Sequence, residues 1–133
     1  MNEDAWRNFR IGRSGFTISA TLSTQKQSVA VALYMHRDPL KIAFGQLLAQ
    51  RTDIEGEMGE KLDWDPLPNR QRSRVGLSWN GVNPGDAANF PAIHDWMLKQ
   101  MQLFRAAFAQ RVKALVLDQE EEVGSEGPEA EET

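Results

Sequence analysis

The sequence predicts an α+β fold in which one antiparallel sheet of four strands packs against two main helices. Residues 16–35 contain two stretches with strand-like patterns, and residues 62–79 contain two more. Each pair is followed by a segment in which apolar residues recur at helical spacing. The expected order is therefore β-β-α-β-β-α, a two-layer sandwich with both helices on one face of the sheet.

The first two strands form the clearest part of this pattern. In residues 16–23 the even-numbered positions are apolar, while the odd-numbered ones are Thr or Ser. In residues 28–35 the odd-numbered positions carry large apolar side chains, and most of the even ones are also apolar, as in an interior strand. Four turn-like residues, 24–27, join the two stretches, so we expect an antiparallel hairpin.

A helix is predicted over residues 39–58. The Asp38 carboxylate can accept hydrogen bonds from the free amides of a first turn, and Pro39 suits the first helical position because it has no N–H to leave unpaired. Apolar residues recur at helical spacing as far as Met58. Gly59 then suits the left-handed conformation that ends many helices.

The second strand pair and the last helix follow the same plan. A short third strand is expected over 62–67, where Pro66 restricts it to a sheet edge, and a fourth over 74–79. The last helix begins near Pro91, and its 26 or so residues span about 39 Å, so we expect its end to project or to pack on a second subunit.

The positions of Trp6, Phe9 and Ile11 allow a short N-terminal helix against the same core.

Charge divides the chain into two parts. Residues 118–133 hold eight of the nineteen acids and no base, which predicts a disordered acidic tail. The other eleven acids stand against fifteen Lys and Arg in residues 1–117, so this single predicted domain carries a net charge of about +4. The tail serves either as a solubilising segment or as an acidic segment that folds over a basic surface of the same molecule.

The composition also limits location and chemistry. The chain has no cysteine, no apolar run that could span a bilayer and no apolar signal core at its N-terminus, so we expect a cytoplasmic protein without a membrane partner. No nucleotide-binding glycine loop or nucleophile motif occurs. His94 and Asp95 are adjacent on a predicted helix and point about 100° apart, and His36 has no second histidine at metal-ligand spacing.

We therefore assign no catalytic residue, no metal ligand and no cofactor, and we do not expect an enzyme. Acids cluster between Asp53 and Asp65, where they form either a magnesium site or, as we favour, a solvated helix face and strand edge.

The one positive cluster is basic. Lys61 precedes a run that contains Arg70, Arg72 and Arg74. In an extended chain these arginines alternate onto one face and span about 13 Å, which suits the phosphates of a nucleic-acid strand. The alternative is that the arginines pair with nearby acids in a solvated hairpin.

Two short strings and three aromatic positions also carry a family resemblance. Residues 54–64 read Ile-Glu-x-x-x-Gly-x-x-Leu-x-Trp, and residues 72–75 read Arg-Ser-Arg-Val. With Trp96, Phe104 and Phe108, these strings resemble the bacterial and archaeal family called domain of unknown function 4268, over roughly residues 10 to 116.

The resemblance implies a role beside nucleic-acid processing or defence, because longer members carry this unit at the C-terminus, some of them behind a nuclease-like segment. It implies no catalytic residue. Since this chain starts just before the first strand, we expect any attached catalytic domain to be missing.

Within the family string, Glu55 stands as a charge among apolar positions, and we expect a structural ion pair with Arg72 or Arg74.

Three functions remain open. The first is a non-enzymatic accessory or binding module with nucleic acid as its ligand. The second is a protein-interaction or oligomerisation module whose last helix pairs with its counterpart through Trp96, Phe104 and Phe108. The third is a remnant or partner domain of a nuclease or defence system.

Overall fold

The computed structural model describes the backbone of residues 4–117 and the side chains of residues 11–117, and the predicted acidic tail lies outside this part of the chain. In the described part, a five-stranded antiparallel sheet has the strand order β1-β2-β3-β5-β4. The elements in chain order are β1 (Asp4–Arg10), β2 (Phe16–Ser23), β3 (Ser28–Met35), α1 (Ile42–Leu48), α2 (Arg51–Met58), β4 (Asp63–Asp65), β5 (Ser73–Asn80), a 3₁₀ turn (Ala87–Asn89) and α3 (Phe90–Lys113).

The α+β class is confirmed, and all four predicted strands are present as β2, β3, β4 and β5. The helices pack on one face of the sheet, because buried residues of α1, α2 and α3 share a core with the apolar positions of β2, β3 and β5. Among the described residues, Ile18, Leu33 and Val75 form one cross-strand row of that core. The alternate positions of the same strands therefore lie on the opposite face.

The N-terminal segment differs from the prediction. Residues 4–10 form strand β1 instead of a short helix, with backbone pairing to β2 that runs from Asp4 with Ser23 to Arg10 with Thr17. The reason is the edge of β2, whose backbone N–H and C=O groups need partners, and an antiparallel strand supplies them along residues 17–23.

The first predicted helix is interrupted. It consists of α1 and α2, and a 3₁₀-type hydrogen bond from Gln50 N to Leu47 O (2.9 Å) tightens the end of α1. Both helices bury apolar residues in the same core, for example Leu47 and Ile54. Apolar spacing alone did not distinguish this pair from one continuous helix, because both helices turn their apolar residues towards the same core.

Helix α3 supplies the centre of the core. At 24 residues it is about 36 Å long. Phe104 and Phe108 are fully buried, and their rings stack at a centroid distance of 5.5 Å. These two side chains therefore pack within their own chain, and pairing of α3 with a second subunit stays a prediction. No helix in residues 4–117 is long and apolar enough to cross a membrane.

Candidate functional site

The face of the sheet opposite the helices ends in a polar and aromatic row. Backbone pairing places Thr17 beside Tyr34, Tyr34 beside Arg74, and Arg74 beside Asp65. These positions alternate with the core row, so their side chains lie on the open face. The row crosses four strands at the end of the sheet where β3 finishes and β5 begins.

A stack of three side chains stands at this end. The Arg72 guanidinium carbon lies 5.3 Å from the centre of the Tyr34 ring, within cation–π range. The Tyr34 and His36 rings are stacked with their centres 6.0 Å apart and an angle of 26° between their planes. His36 Nε2 is 2.8 Å from Thr17 Oγ1, so a hydrogen bond fixes the outer ring. We call Arg72, Tyr34 and His36 the stack.

Burial and the nearby Arg72 charge both lower the pKa of His36 from its ordinary value of 6.5. Burial is the larger cause, and the positive charge of Arg72 further disfavours a second cation beside it. The lowered pKa favours the neutral form of the imidazole.

Lys41 holds the backbone of the arginine segment in place. Its Nζ donates to the carbonyl oxygens of Arg70 and Arg72, each at 2.8 Å. Lys41 itself has a left-handed backbone with φ 60°, an uncommon conformation for a residue with a side chain. Two carbonyl groups that face one ammonium cannot easily change their orientation, so the two arginine side chains extend from a fixed main chain.

Asp38 makes a second connection to this segment from the buried side. Its carboxylate accepts hydrogen bonds from Ala43 N and Phe44 N (3.0 Å each) and from Ser73 Oγ (2.9 Å). Asp38 N also donates to Gln71 O. Asp38 is thus a helix cap as predicted, but it acts from outside α1 and joins the start of that helix to the start of β5. Pro39 is not the first helical residue, because α1 begins at Ile42.

Arg74 is occupied by the fold itself. Its Nη1 lies 3.3 Å from Asp63 Oδ2, and its side chain is only 18% exposed. The guanidinium lies over Gly76, where an added Cβ would come within 2.5–2.8 Å of it. A side chain at position 76 would therefore make the Arg74 guanidinium move from this place. Arg74 thus pairs with a nearby acid, which is the alternative to phosphate binding that the sequence left open.

Arg70 and Arg72 are placed differently. Both are exposed, and within residues 11–117 neither forms an ion pair with a carboxylate. Lys61 is also exposed, but it precedes β4 at the end opposite to Arg70. The structure thus brings three of the four predicted basic residues to one end of the sheet and leaves Lys61 away from them.

An open cleft of about 400 Å³ lies beside the stack. Its lining combines an imidazole, two guanidinium groups and two amides: His36, Asn69, Arg70, Gln71 and Arg72. Tyr34, His36 and the amides were not predicted as site residues from the sequence. Asn69 and Gln71 were visible inside the arginine run, whereas Tyr34 and His36 join it only through the pairing of β3 with β5.

Glu55 does not contact Arg72 or Arg74, the partners predicted from the sequence. Its Oε2 accepts hydrogen bonds from Leu62 N (2.8 Å) and Trp64 Nε1 (3.0 Å), and its Oε1 lies 3.4 Å from Arg51 Nε. Gly59 ends α2, and the chain after it turns back along that helix, so the donors nearest to Glu55 come from β4 and its approach. Glu55 therefore joins α2 to β4.

These contacts predict that Glu55→Ala lowers the free energy of unfolding by about 1–3 kcal/mol at neutral pH, because two donors lose a charged acceptor. The hydrogen bond from Leu62 N, followed by that from Trp64, lowers the pKa of Glu55 below its ordinary 4.5. The folded state thus favours the carboxylate, and its stabilisation is present above pH 4.5 and is lost as the pH falls through the lowered pKa.

Urea unfolding of wild type and Glu55→Ala at pH 7 and pH 3 measures both effects, and we expect the difference between the two proteins to shrink at pH 3. Glu60→Ala is the matched control, since Glu60 is exposed and makes no hydrogen bond or ion pair with another described residue. Unchanged stability together with lost ligand binding would contradict the structural role.

The other acids near the end of α2 are dispersed. Glu57 forms a two-point ion pair with Arg111, with oxygen–nitrogen distances of 2.9 and 2.7 Å, which ties α2 to α3. The hydrogen bond from Arg111 lowers the pKa of Glu57. Across the described side chains, no three Asp, Glu, His or Cys residues are grouped so that they could hold a metal ion.

Comparison with known proteins gives one match. A family model described as "Domain of unknown function (DUF4268)" matches residues 1–112, a range that contains the whole sheet, the stack and nearly all of α3. Searches of curated proteins and of solved structures return no match.

Proposed function

The chain belongs to the DUF4268 family, and we propose that it is a non-enzymatic module that binds nucleic acid at the end of its sheet. One observation carries the proposal. Arg70 and Arg72 are exposed and have no carboxylate partner in the described part of the chain. Arg72 also lies against the Tyr34 ring, which stacks on the ring of His36. We propose the cytoplasm as its location, where such a ligand is present.

Arg70 and Arg72 supply the cations. A guanidinium offers several N–H donors in a planar fork that matches phosphate oxygens, and such charge-assisted hydrogen bonds are the stronger ones in proteins. Arg74 is already paired with Asp63, so it contributes to the local fold more than to a ligand. The proposed phosphate contacts are therefore two, Arg70 and Arg72.

The fixed backbone favours binding. Lys41 and Asp38 hold residues 70–73 by hydrogen bonds, and the side chains of Arg70 and Arg72 are exposed. A binding segment that is already ordered loses less conformational entropy when the ligand arrives. The groups gathered here are cations, rings and amides, which bind phosphates and bases.

The test is a fluorescence titration of a labelled single-stranded oligonucleotide at salt concentrations from 50 to 200 mM. If two phosphates are contacted, log K should fall with log salt with a slope of about −1.4. Arg72→Ala should weaken binding about tenfold, and it should reduce the magnitude of this slope by about 0.7.

Arg105→Ala is the matched control, because it removes the same charge from an exposed position on α3, away from the stack. The proposal fails if no oligonucleotide binds at the lowest salt, or if the Arg105 variant loses as much affinity as the Arg72 variant.

A second candidate function, association with a protein or with another copy of the chain, is favoured by apolar exposure on α3. Phe90 is 53% exposed and Leu98 is 50% exposed. Sedimentation of the same preparation distinguishes this candidate, since burial of apolar side chains holds or strengthens at high salt, whereas phosphate binding weakens.

A further inference from the structure

The cleft beside the stack has the chemistry of a nucleotide pocket, and we infer that the ligand is single-stranded, with one unpaired nucleobase seated between the stack and the amides of Asn69 and Gln71. This inference rests on the proposed function and specifies its ligand. It adds the amides of the cleft and the Tyr34 and His36 rings to the two arginines proposed as phosphate contacts.

The amides can bind the edge of a base. Each carries both a donor NH₂ group and an acceptor oxygen, the combination that the hydrogen-bonding edges of nucleobases require. The side chains of Asn69 and Gln71 are exposed and line the cleft. Neither forms a side-chain hydrogen bond within residues 11–117, whereas the amides of Gln46, Gln50 and Asn89 are all bonded.

The stack can cover the flat side of a base. Single-stranded nucleic acid commonly places its bases on aromatic rings or on the plane of an arginine. Tyr34 lies against one side of the Arg72 guanidinium, and the exposure of Arg72 leaves the other side to a ligand. The His36 side chain is only partly shielded from solvent, and its ring orientation is set by Thr17.

Size and accessibility select a single unpaired nucleotide. The open cleft of about 400 Å³ lies at the small end of the range for small-ligand sites, a size that suits a single base. In a duplex, the base faces and pairing edges are already occupied, and a base could enter only after it leaves the stack. A single strand offers the same phosphates together with free bases.

The experiment compares three oligonucleotide probes of equal length with the full chain: a single strand of 12 nucleotides, the same backbone with an abasic residue at every position, and a duplex. The single strand and its abasic form carry the same phosphates, so their difference isolates the base. We expect the abasic strand to bind about tenfold more weakly than the strand with bases, and the duplex to bind more weakly than the single strand.

The double variant Asn69→Ala, Gln71→Ala should lose affinity for the strand with bases and keep its affinity for the abasic strand. Asn80→Ala, Gln102→Ala is the matched control, since it removes two exposed amides outside the cleft. Thermal melting of both variants checks that the fold is retained.

The outcomes separate the two proposals. Equal affinity for the strand with bases and the abasic strand, or an equal loss for both probes in the Asn69 and Gln71 variant, would overturn the base pocket and leave the proposed function standing. If no probe shows salt-dependent binding, the proposed function itself fails. Preferential binding of the duplex would also overturn the single-strand inference.

Discussion

Asp38→Ala is expected to lower the free energy of unfolding by about 2–4 kcal/mol. Asp38 is only 4% exposed, and its carboxylate accepts from Ala43 N, Phe44 N and the Ser73 hydroxyl. Alanine would leave these donors without their acceptor in a buried place, where water cannot easily replace it. The same change frees the start of α1 from the start of β5.

Urea unfolding followed by circular dichroism measures this effect. The matched control is Asp86→Ala, because Asp86 also caps a turn, with Oδ1 3.0 Å from Ala88 N, but is exposed. We expect the control to cost about 1 kcal/mol or less. If both variants lose the same small amount, Asp38 acts only as a local cap and does not join the helix to the sheet.

Phe104→Ala is expected to cost about 3–5 kcal/mol, the range for removing a large aromatic side chain from a core. Phe104 has no exposed surface, and its ring stacks on that of Phe108. Alanine there leaves a cavity between α3 and the sheet, because the surrounding side chains can collapse only in part.

Leu40→Ala is the control, since its side chain is 65% exposed and lies outside α3, and it should cost less than about 1 kcal/mol. Denaturation and sedimentation are measured together. An unchanged stability of Phe104→Ala with a change in oligomeric state would mean that Phe104 serves an interface between subunits and not the core.

The parts of the fold that the sequence predicted are those with a short-range cause. The alternation of residues 16–23 follows from one strand face in the core and one in solvent, and that cause acts along the strand itself. Strand β1 had no such signal, because residues 4–10 do not alternate, and their pairing depends on the free edge of β2. The division between α1 and α2 was missed because the apolar residues of both helices recur at helical spacing and are buried in the same core.

Only the arginines of the candidate site could be predicted from the sequence. The spacing of Arg70 and Arg72 indicated a phosphate-binding segment, since it needs no knowledge of distant residues. Tyr34 and His36 lie more than thirty positions away, and only the register of β3 against β5 places them beside Arg72. Glu55 was assigned the wrong partner for a related reason: the turn after Gly59 brings Leu62 and Trp64 to it first.

The short length of β4 leaves part of β5 unpaired at the sheet edge near Lys61 within residues 4–117. β4 pairs with only Arg74, Val75 and Gly76 of β5, so the stretch from Leu77 to Asn80 has no partner strand on its outer side in the described part of the chain. Unpaired backbone at a sheet edge is a template on which another extended chain can add and begin an aggregate. Lys61 lies two residues before β4 begins, so an extension of the β4–β5 register would bring it opposite Ser78 in this stretch. We expect a charged side chain at that position to oppose strand addition at this edge.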